Sequence, residues 1–231
     1  MLTRAGAAIG VLGVAILSAG CTTRVGGTAL AAADLGHVAL PVAVEAMAGL
    51  LPSPEQLDAV LGVQGMSAKQ SLSYGYSGAT ASDDCAETWN VAWVPMYTGL
   101  GWVAMRTQFV ATPDKEHRVW QGIVVFPFAV DATAFYSRQV AAWRTCDGRR
   151  IAMRYLDEPA SADQLFNVGS AGDHDGILTQ TSTEADEPTW MCEHALSARN
   201  NVIVDVQVCG ERLSGQAESV TRAVVAKVPV S

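Results

Sequence analysis

The chain has 231 residues, 49% of them hydrophobic and 16% charged, with 15 basic against 23 acidic side chains and a formal net charge of −8. This composition supplies one sizeable core and excludes a disordered, collagenous or coiled-coil chain. The acidic balance and the absence of any Lys/Arg run exclude the basic footprint that a nucleic-acid partner requires.

Residues 5–17, AGAAIGVLGVAIL, carry no charge, follow Arg4 and lead into Ser18, Ala19 and Gly20, which is the layout of an export signal. As a helix this run covers about 20 Å, short of the roughly 30 Å of hydrocarbon that a spanning helix must cross. The following Leu17-Ser18-Ala19-Gly20-Cys21 resembles the lipobox of bacterial lipoproteins, in which the cysteine becomes residue one and carries diacylglycerol. Ser18 stands where that motif prefers an aliphatic residue, with Leu17 one step further back. The expectation is a signal peptide over 1–20, an acylated Cys21 and a membrane anchor without a spanning segment, since each buried methylene contributes about 0.8 kcal/mol. The competing reading is an exported chain with one spare thiol.

Of the five cysteines, Cys85, Cys146, Cys192 and Cys209 remain if Cys21 is acylated, an even number suited to an oxidising compartment. No C-x-x-C pair occurs, so neither a zinc ribbon nor a thioredoxin-like redox site is expected. Residues 21–44 are small and contain Gly, and read as a flexible tether; the domain occupies 45–231.

Within the domain, Ser53-Pro54-Glu55-Gln56 has the pattern of a capping box with Pro at the first helical position, Leu57, Val60 and Leu61 form an apolar stripe, and Gly62 is a stop. Residues 63–84 read as a loop or weak extended segment. Val103, Met105 and Phe109 alternate with polar residues, ATPDKEH is a polar turn, and 119–126 is a second apolar run, so the two form an antiparallel hairpin. Asp131 caps a helix running to about Trp143. The segment 147–188 is looser, with Gly, Pro and the acidic clusters DHDG and EADEP. A strand over 190–198, a turn at Arg199-Asn200-Asn201, a strand over 202–209 and a helix from about Ser214 to Lys227 complete the chain. The pattern is α+β: an antiparallel sheet flanked by helices in a single domain.

A two-residue Asn200-Asn201 turn would make every facing pair of this last hairpin sum to 401, placing Cys192 opposite Cys209 at a non-hydrogen-bonded position, where a bridge can close. A four-residue turn would keep the sum but swap the alternation and strain that bridge. Cys85 and Cys146 are then left to each other. Val202, Val204, Val206 and Val208 share one face with Ala195, and this is core. The opposite face carries His194, Asp205 and Gln207 with Leu196 and Ile203, which could floor a ligand-binding groove or lie solvated or covered by a helix.

Known chemical motifs are mostly missing. Gly99-Leu100-Gly101-Trp102-Val103-Ala104 precedes a strand, which is the wrong context for a dinucleotide fingerprint. Gly75-Tyr76-Ser77-Gly78 lacks nucleophile-elbow spacing. Asp173-His174-Asp175-Gly176 reads as a turn, so no metal and no cofactor are expected. The six tryptophans read as core, with Trp89, Trp143 and Trp190 covering the bridges.

The run from Cys85 through Gly101-Trp102-Val103-Ala104-Met105-Arg106, Gln121-Gly122-Ile123-Val124-Val125-Phe126-Pro127, Trp143-Arg144-Thr145-Cys146, Trp190-Met191-Cys192 and Asn200-Asn201-Val202-Ile203-Val204-Asp205-Val206 resembles the PknH-like extracellular sensor domain. That family comprises the outer domain of a mycobacterial receptor serine/threonine kinase and many mycobacterial lipoproteins, and the resemblance covers about residues 45–230. It implies an α+β domain with two disulfides paired in sequence order and a cleft that binds a ligand. Neither a Gly-rich loop nor an H-R-D motif occurs, so no kinase domain is expected. The expected function is a non-enzymatic, lipid-anchored sensor or ligand-binding lipoprotein on the outer face of the cytoplasmic membrane. Its cleft would hold a small molecule, lipid or envelope component, or signal to an envelope protein partner. Two further readings are an envelope hydrolase built on His194 and Asp205 and a structural envelope protein.

Overall fold

Ser53 opens the first full helix as its sequence pattern requires. In the computed structural model, which describes residues 39–76, 79–81, 85–155 and 163–229, the Gln56 amide donates to the Ser53 hydroxyl at 3.3 Å and the Ser53 amide donates to Gln56 Oε1 at 3.0 Å. Pro54 occupies the first turn of α2 (Pro54–Leu61), following the single-turn α1 (Met47–Leu50), and Gly62 closes α2 in the left-handed conformation at φ 69°. The export signal and Cys21 lie outside the described residues. The folded body takes in residues ahead of 45: Val42 is buried, and its amide donates to Asn201 Oδ1 at 2.8 Å.

One antiparallel sheet organises the rest. Its strands are β1 (Ser67–Leu72), β2 (Ala79–Ala81), β3 (Ala104–Ala111), β4 (Arg118–Val125), β5 (Arg150–Tyr155), β6 (Gln164–Val168), β7 (Gly172–His174), β8 (Ile177–Glu184), β9 (Trp190–Arg199) and β10 (Val202–Glu211). The spatial order is β1-β3-β4-β10-β9-β8-β6-β5-β2, with β7 paired to β8. The β3–β4 and β9–β10 hairpins form where alternating apolar residues flank polar turns. Strand β1, SAKQSL, has no such alternation and is mostly exposed, so only its pairing with β3 reveals it; it is an edge strand carrying Lys69 and a register irregularity. The segment 147–188, looser in sequence, supplies β5 to β8.

Helices cover both faces. On the valine face, Val202, Val204, Val206, Val208 and Ala195 pack with Leu57 of α2 and with Ala217, Val220 and Val224 of α5 (Gln216–Val225). Gly215 leaves α5 without a side-chain cap of its own, and Glu193 of β9 supplies one from the sheet: the amides of Gly215 and Ala217 donate to its two carboxylate oxygens at 2.6 and 3.1 Å. That satisfies orphan helix donors with a negative charge at the positive end of the helix dipole. On the other face, Ile203, Leu196, Leu178 and Val124 pack with Phe135 and Trp143 of α4 (Ala129–Arg144). The N-cap of α4 is Phe128, with no side-chain bond, so Asp131 sits inside the first turn, where its charge still faces the dipole, and not at the cap that the sequence assigns it.

The last hairpin has the two-residue register. Arg199 faces Val202, Cys192 faces Cys209, and these cysteines are bonded across a Cα separation of 4.0 Å. Cys85 is bonded to Cys146 with Cα atoms 5.8 Å apart. Cys146 follows the end of α4, while Cys85 opens a strap, residues 85–97, consisting of the one-turn α3 (Ala86–Trp89) and a 3-10 turn at Val94–Tyr97.

The strap lies so close to the sheet that a side chain at Gly122 of β4 has no room: its Cβ would fall 2.6 Å from Ala92 Cβ. Gly122→Val is therefore expected to lift residues 91–92 off the sheet while β4 and β10 stay paired. Amide exchange at Ala92 should accelerate at least tenfold with little change in β10; unchanged exchange at Ala92 would show that the close approach is not tight.

Candidate functional site

Alternation along β9 and β10 puts His194, Asp205 and Gln207 on the face opposite the valines, and the strap roofs that face. The backbone of 85–97 forms one isolated bridge, with Tyr76, and joins no strand of the sheet, so these side chains tie it to the sheet one by one. His194 Nδ1 lies 2.7 Å from the Thr88 carbonyl, Asp205 Oδ2 accepts from the Ala92 amide at 2.7 Å, and Gln207 Nε2 donates to the Trp89 carbonyl at 2.9 Å. His194 Nε2 and Asp205 Oδ1 are 2.6 Å apart, and Trp143 packs on the imidazole with ring centroids 4.4 Å apart. A carbonyl can only accept, so Nδ1 carries a hydrogen. The Nε2–Oδ1 contact needs one more, held by either atom, which leaves the pair neutral as a unit.

The groove floor offered by the sequence is thus closed. His194 is 2% exposed and Asp205 0%, and Gln207 is buried beside them. Both ring nitrogens of His194 are engaged, so neither can take a proton from a serine, as the hydrolase reading requires. All three side chains are committed to protein backbone or to each other.

The open site lies on the same face, one step further along the strands. Beyond the strap is a recess of about 360 Å³ between the turn joining β3 to β4 and the ends of β6, β8, β9 and β10. The Cys192–Cys209 bridge, Trp89 and Phe166 form its inner surface; the two rings are 4.2 Å apart and nearly buried. Trp120 and Trp190, both half-buried, add aromatic wall, and the guanidinium of Arg118 rests 4.9 Å from the centre of the Trp190 ring. The rim is acidic: Asp114, Glu116, Glu184, Glu187 and Glu211 stand against Lys115 and Arg118. Register explains the convergence, because Arg118 pairs with Cys209 and Trp120 with Gln207, so both share the face of the bridge.

Burial, followed by the charges of Glu187 and Asp186, holds the Glu184 carboxyl above its ordinary value, with Arg118 opposing. A carboxyl whose folded pKa is raised binds more protons folded than unfolded. Stability therefore falls as pH rises from the ordinary glutamate value through the raised one. Glu184→Gln is expected to raise the melting temperature at pH 7 and to change it little at pH 4. An equal shift at both pH values would mean that charge crowding is not the cause.

Sequence reasoning anticipated Trp89 and Trp190 beside the bridges but not the rest of this recess. Arg118 and Trp120 enter through the pairing of β4 with β10, whose register the β9–β10 turn does not set. The Asp173-His174-Asp175 segment falls on β7 and the turn after it, with Asp173 accepting from the Tyr136 hydroxyl at 2.8 Å. No cluster of metal-binding side chains occurs among the described residues.

Comparison with known proteins follows this architecture. The sequence profile of the PknH-like extracellular domain matches residues 42–227. The chain is 30% identical over 192 residues to the serine/threonine-protein kinase PknH of Mycobacterium tuberculosis (strain ATCC 25618 / H37Rv), covering 81% of this chain and 30% of that protein. It is 27% identical to PknJ of the same strain, covering 78% of this chain and 32% of that protein. The chain thus spans about a third of the length of these relatives. The crystal structure of the extracellular domain of PknH from Mycobacterium tuberculosis superposes with a TM-score of 0.76 at 28% identity, over 81% of this chain and 97% of that one.

Proposed function

The chain belongs to the PknH-like extracellular domain family, and on that premise we propose that it is a non-catalytic, lipid-anchored receptor module that takes a small organic cation into the aromatic recess. One observation carries the ligand class: four aromatic side chains line a cavity whose rim holds five carboxylates against two cations. Aromatic faces attract cations through the ring quadrupole, and the carboxylates add long-range attraction while repelling anions. Arg118 over Trp190 is the same interaction made internally. The cavity suits a ligand of the size of a diamine or a quaternary ammonium compound. Such a module works by binding, since its His–Asp pair is sealed under the strap. The export signal and Cys21 support placement on the outer face of the cytoplasmic membrane, with acyl chains as the anchor.

Titration of the full chain with spermidine, choline, N-acetylglucosamine and inorganic phosphate, read by tryptophan fluorescence, tests the ligand class. Saturable quenching by spermidine or choline, weakened at least tenfold in Glu184→Gln and in Trp190→Ala, is expected. Equal responses to the sugar or to phosphate would overturn it. Mass analysis of the protein extracted from membranes tests the anchor: a diacylglyceryl group on an N-terminal Cys21 is expected, and an unmodified Met1 start would overturn it.

A further inference from the structure

The strands give this domain two unlike ends about 30 Å apart, the length of β10 at about 3.4 Å per residue. The far end holds the recess. The near end is where β3 begins, β4 finishes and the β9–β10 turn lies: Ala104 and Val202 both face Val125. The described chain also enters there. Asn200 Nδ2 donates to the Leu40 carbonyl at 2.9 Å, and Asn201 Nδ2 donates to the carbonyls of Val42 at 3.2 Å and Phe126 at 2.8 Å.

Large apolar side chains are exposed mainly at this near end. Leu40 is 84% exposed, Val130 70%, Phe128 65% and Val103 53%, with Val44 close behind. Elsewhere the described residues expose only Tyr74, beside the middle of β3, and Leu165, towards the far end. Phe128 and Val130 stand at the start of α4, where no side chain caps the helix, and Val103 is tied to Val125 by a 2.7 Å backbone bond. Exposed side chains of this size gathered in one place mark a surface that something apolar covers.

We propose that this end docks into the surface of the lipid bilayer, so that the domain stands with its recess directed away from the membrane. Three features of the molecule select a bilayer as the occupant. The chain leaves this end towards Cys21, and residues 22–38 between them can span at most about 60 Å, which keeps the patch at high local concentration beside any membrane that holds Cys21. The patch is made of protruding side chains from separate segments, Leu40 and Val44, Val103, and Phe128 and Val130. Charge also sorts the two ends: the far end carries five carboxylates of the recess rim against Lys115 and Arg118, which an anionic bilayer repels, whereas the near end has Glu45, Asp131 and Asp175 against Arg199 and Arg222, the last of which pairs with Asp175 at 3.2 Å. Trp102, half-buried in the loop before β3, stands at the same end, and tryptophan prefers the lipid–water boundary.

The docking rests on tethering at Cys21, and the experiment separates the two. Cys21 is the one cysteine outside the two bridges, so the full chain can be coupled through its thiol to a maleimide lipid in vesicles of phosphatidylethanolamine and phosphatidylglycerol, whether or not the cell acylates it. Hydrogen exchange is compared with that of the uncoupled chain. The amides of residues 100–103 and 128–130 are expected to slow at least fivefold on the vesicles while those of 114–117 beside the recess do not change. Phe128→Asp with Val130→Asp should abolish the slowing without lowering the melting temperature, because both side chains are exposed and stand at the start of α4, where a carboxylate is favourable. Unchanged exchange at 128–130 in the coupled wild-type chain, or slowing that survives the double substitution, would overturn the docking. Neither result bears on whether Cys21 is acylated in the cell, which the mass analysis decides.

Discussion

Asp205→Ala is expected to destabilise the domain by about 3–5 kcal/mol, the cost typical of removing one partner from a buried ionic pair. The substitution leaves two groups stranded. His194 keeps its bond to the Thr88 carbonyl but loses the acceptor or donor on Nε2, and the Ala92 amide loses its acceptor in a place where water has no access. Gln207→Ala removes a single neutral bond to the Trp89 carbonyl and should cost only about 1–3 kcal/mol by comparison. Urea unfolding monitored by circular dichroism checks both values. A loss below about 1 kcal/mol for Asp205→Ala would mean that the strap is held by its apolar contacts and that the polar trio is incidental.

That trio also shows how far the sequence could be read. Period-2 alternation and the turn at Asn200-Asn201 are local signals, so the hairpin, its faces and the Cys192–Cys209 pairing were legible from β9 and β10 alone. The helix α2 was legible for the same reason, since its capping residues sit within four positions of each other. What covers a sheet face is not a local property. Thr88, Trp89 and Ala92 lie more than a hundred residues before the side chains that bond them, and their segment has neither helical nor strand periodicity, so nothing in its sequence announces a roof over His194. The recess was hidden likewise: its walls come from β4, β6, β8, β9, β10 and the strap, and only the full strand order brings them together. The segment 63–84 reads only as a loop or weak extended segment because the edge strand β1 carries polar residues, which removes the alternation that would identify it, and because β2, Ala-Thr-Ala, is too short to show one.

The Cys85–Cys146 bridge holds the same strap from its other side, and its loss should be the larger of the two disulfide effects. In the chain-entropy account, opening the 61-residue separation costs about 4 kcal/mol, against about 3 for the 17-residue separation of Cys192–Cys209. Geometry widens the difference. Cys192 and Cys209 join neighbouring strands that ten residues on each side already hold in register, whereas Cys85 joins a segment without a ladder to the end of α4. With Cys85→Ser and Cys146→Ser, the strap depends on the side chains of His194, Asp205 and Gln207, on the Gln139 bond to Glu87, on backbone bonds to Tyr76 and on its packing. If the strap opens ahead of the sheet once the bridge is gone, Asp205→Ala in that background should cost at least about 1 kcal/mol less than in the bridged protein, because the state it destabilises is already partly undocked. Trp89 leaves the recess with the strap, so weaker binding of spermidine should accompany the loss of stability. Additive costs, with binding untouched, would instead separate the strap from the recess and make the bridge a constraint on the unfolded chain alone.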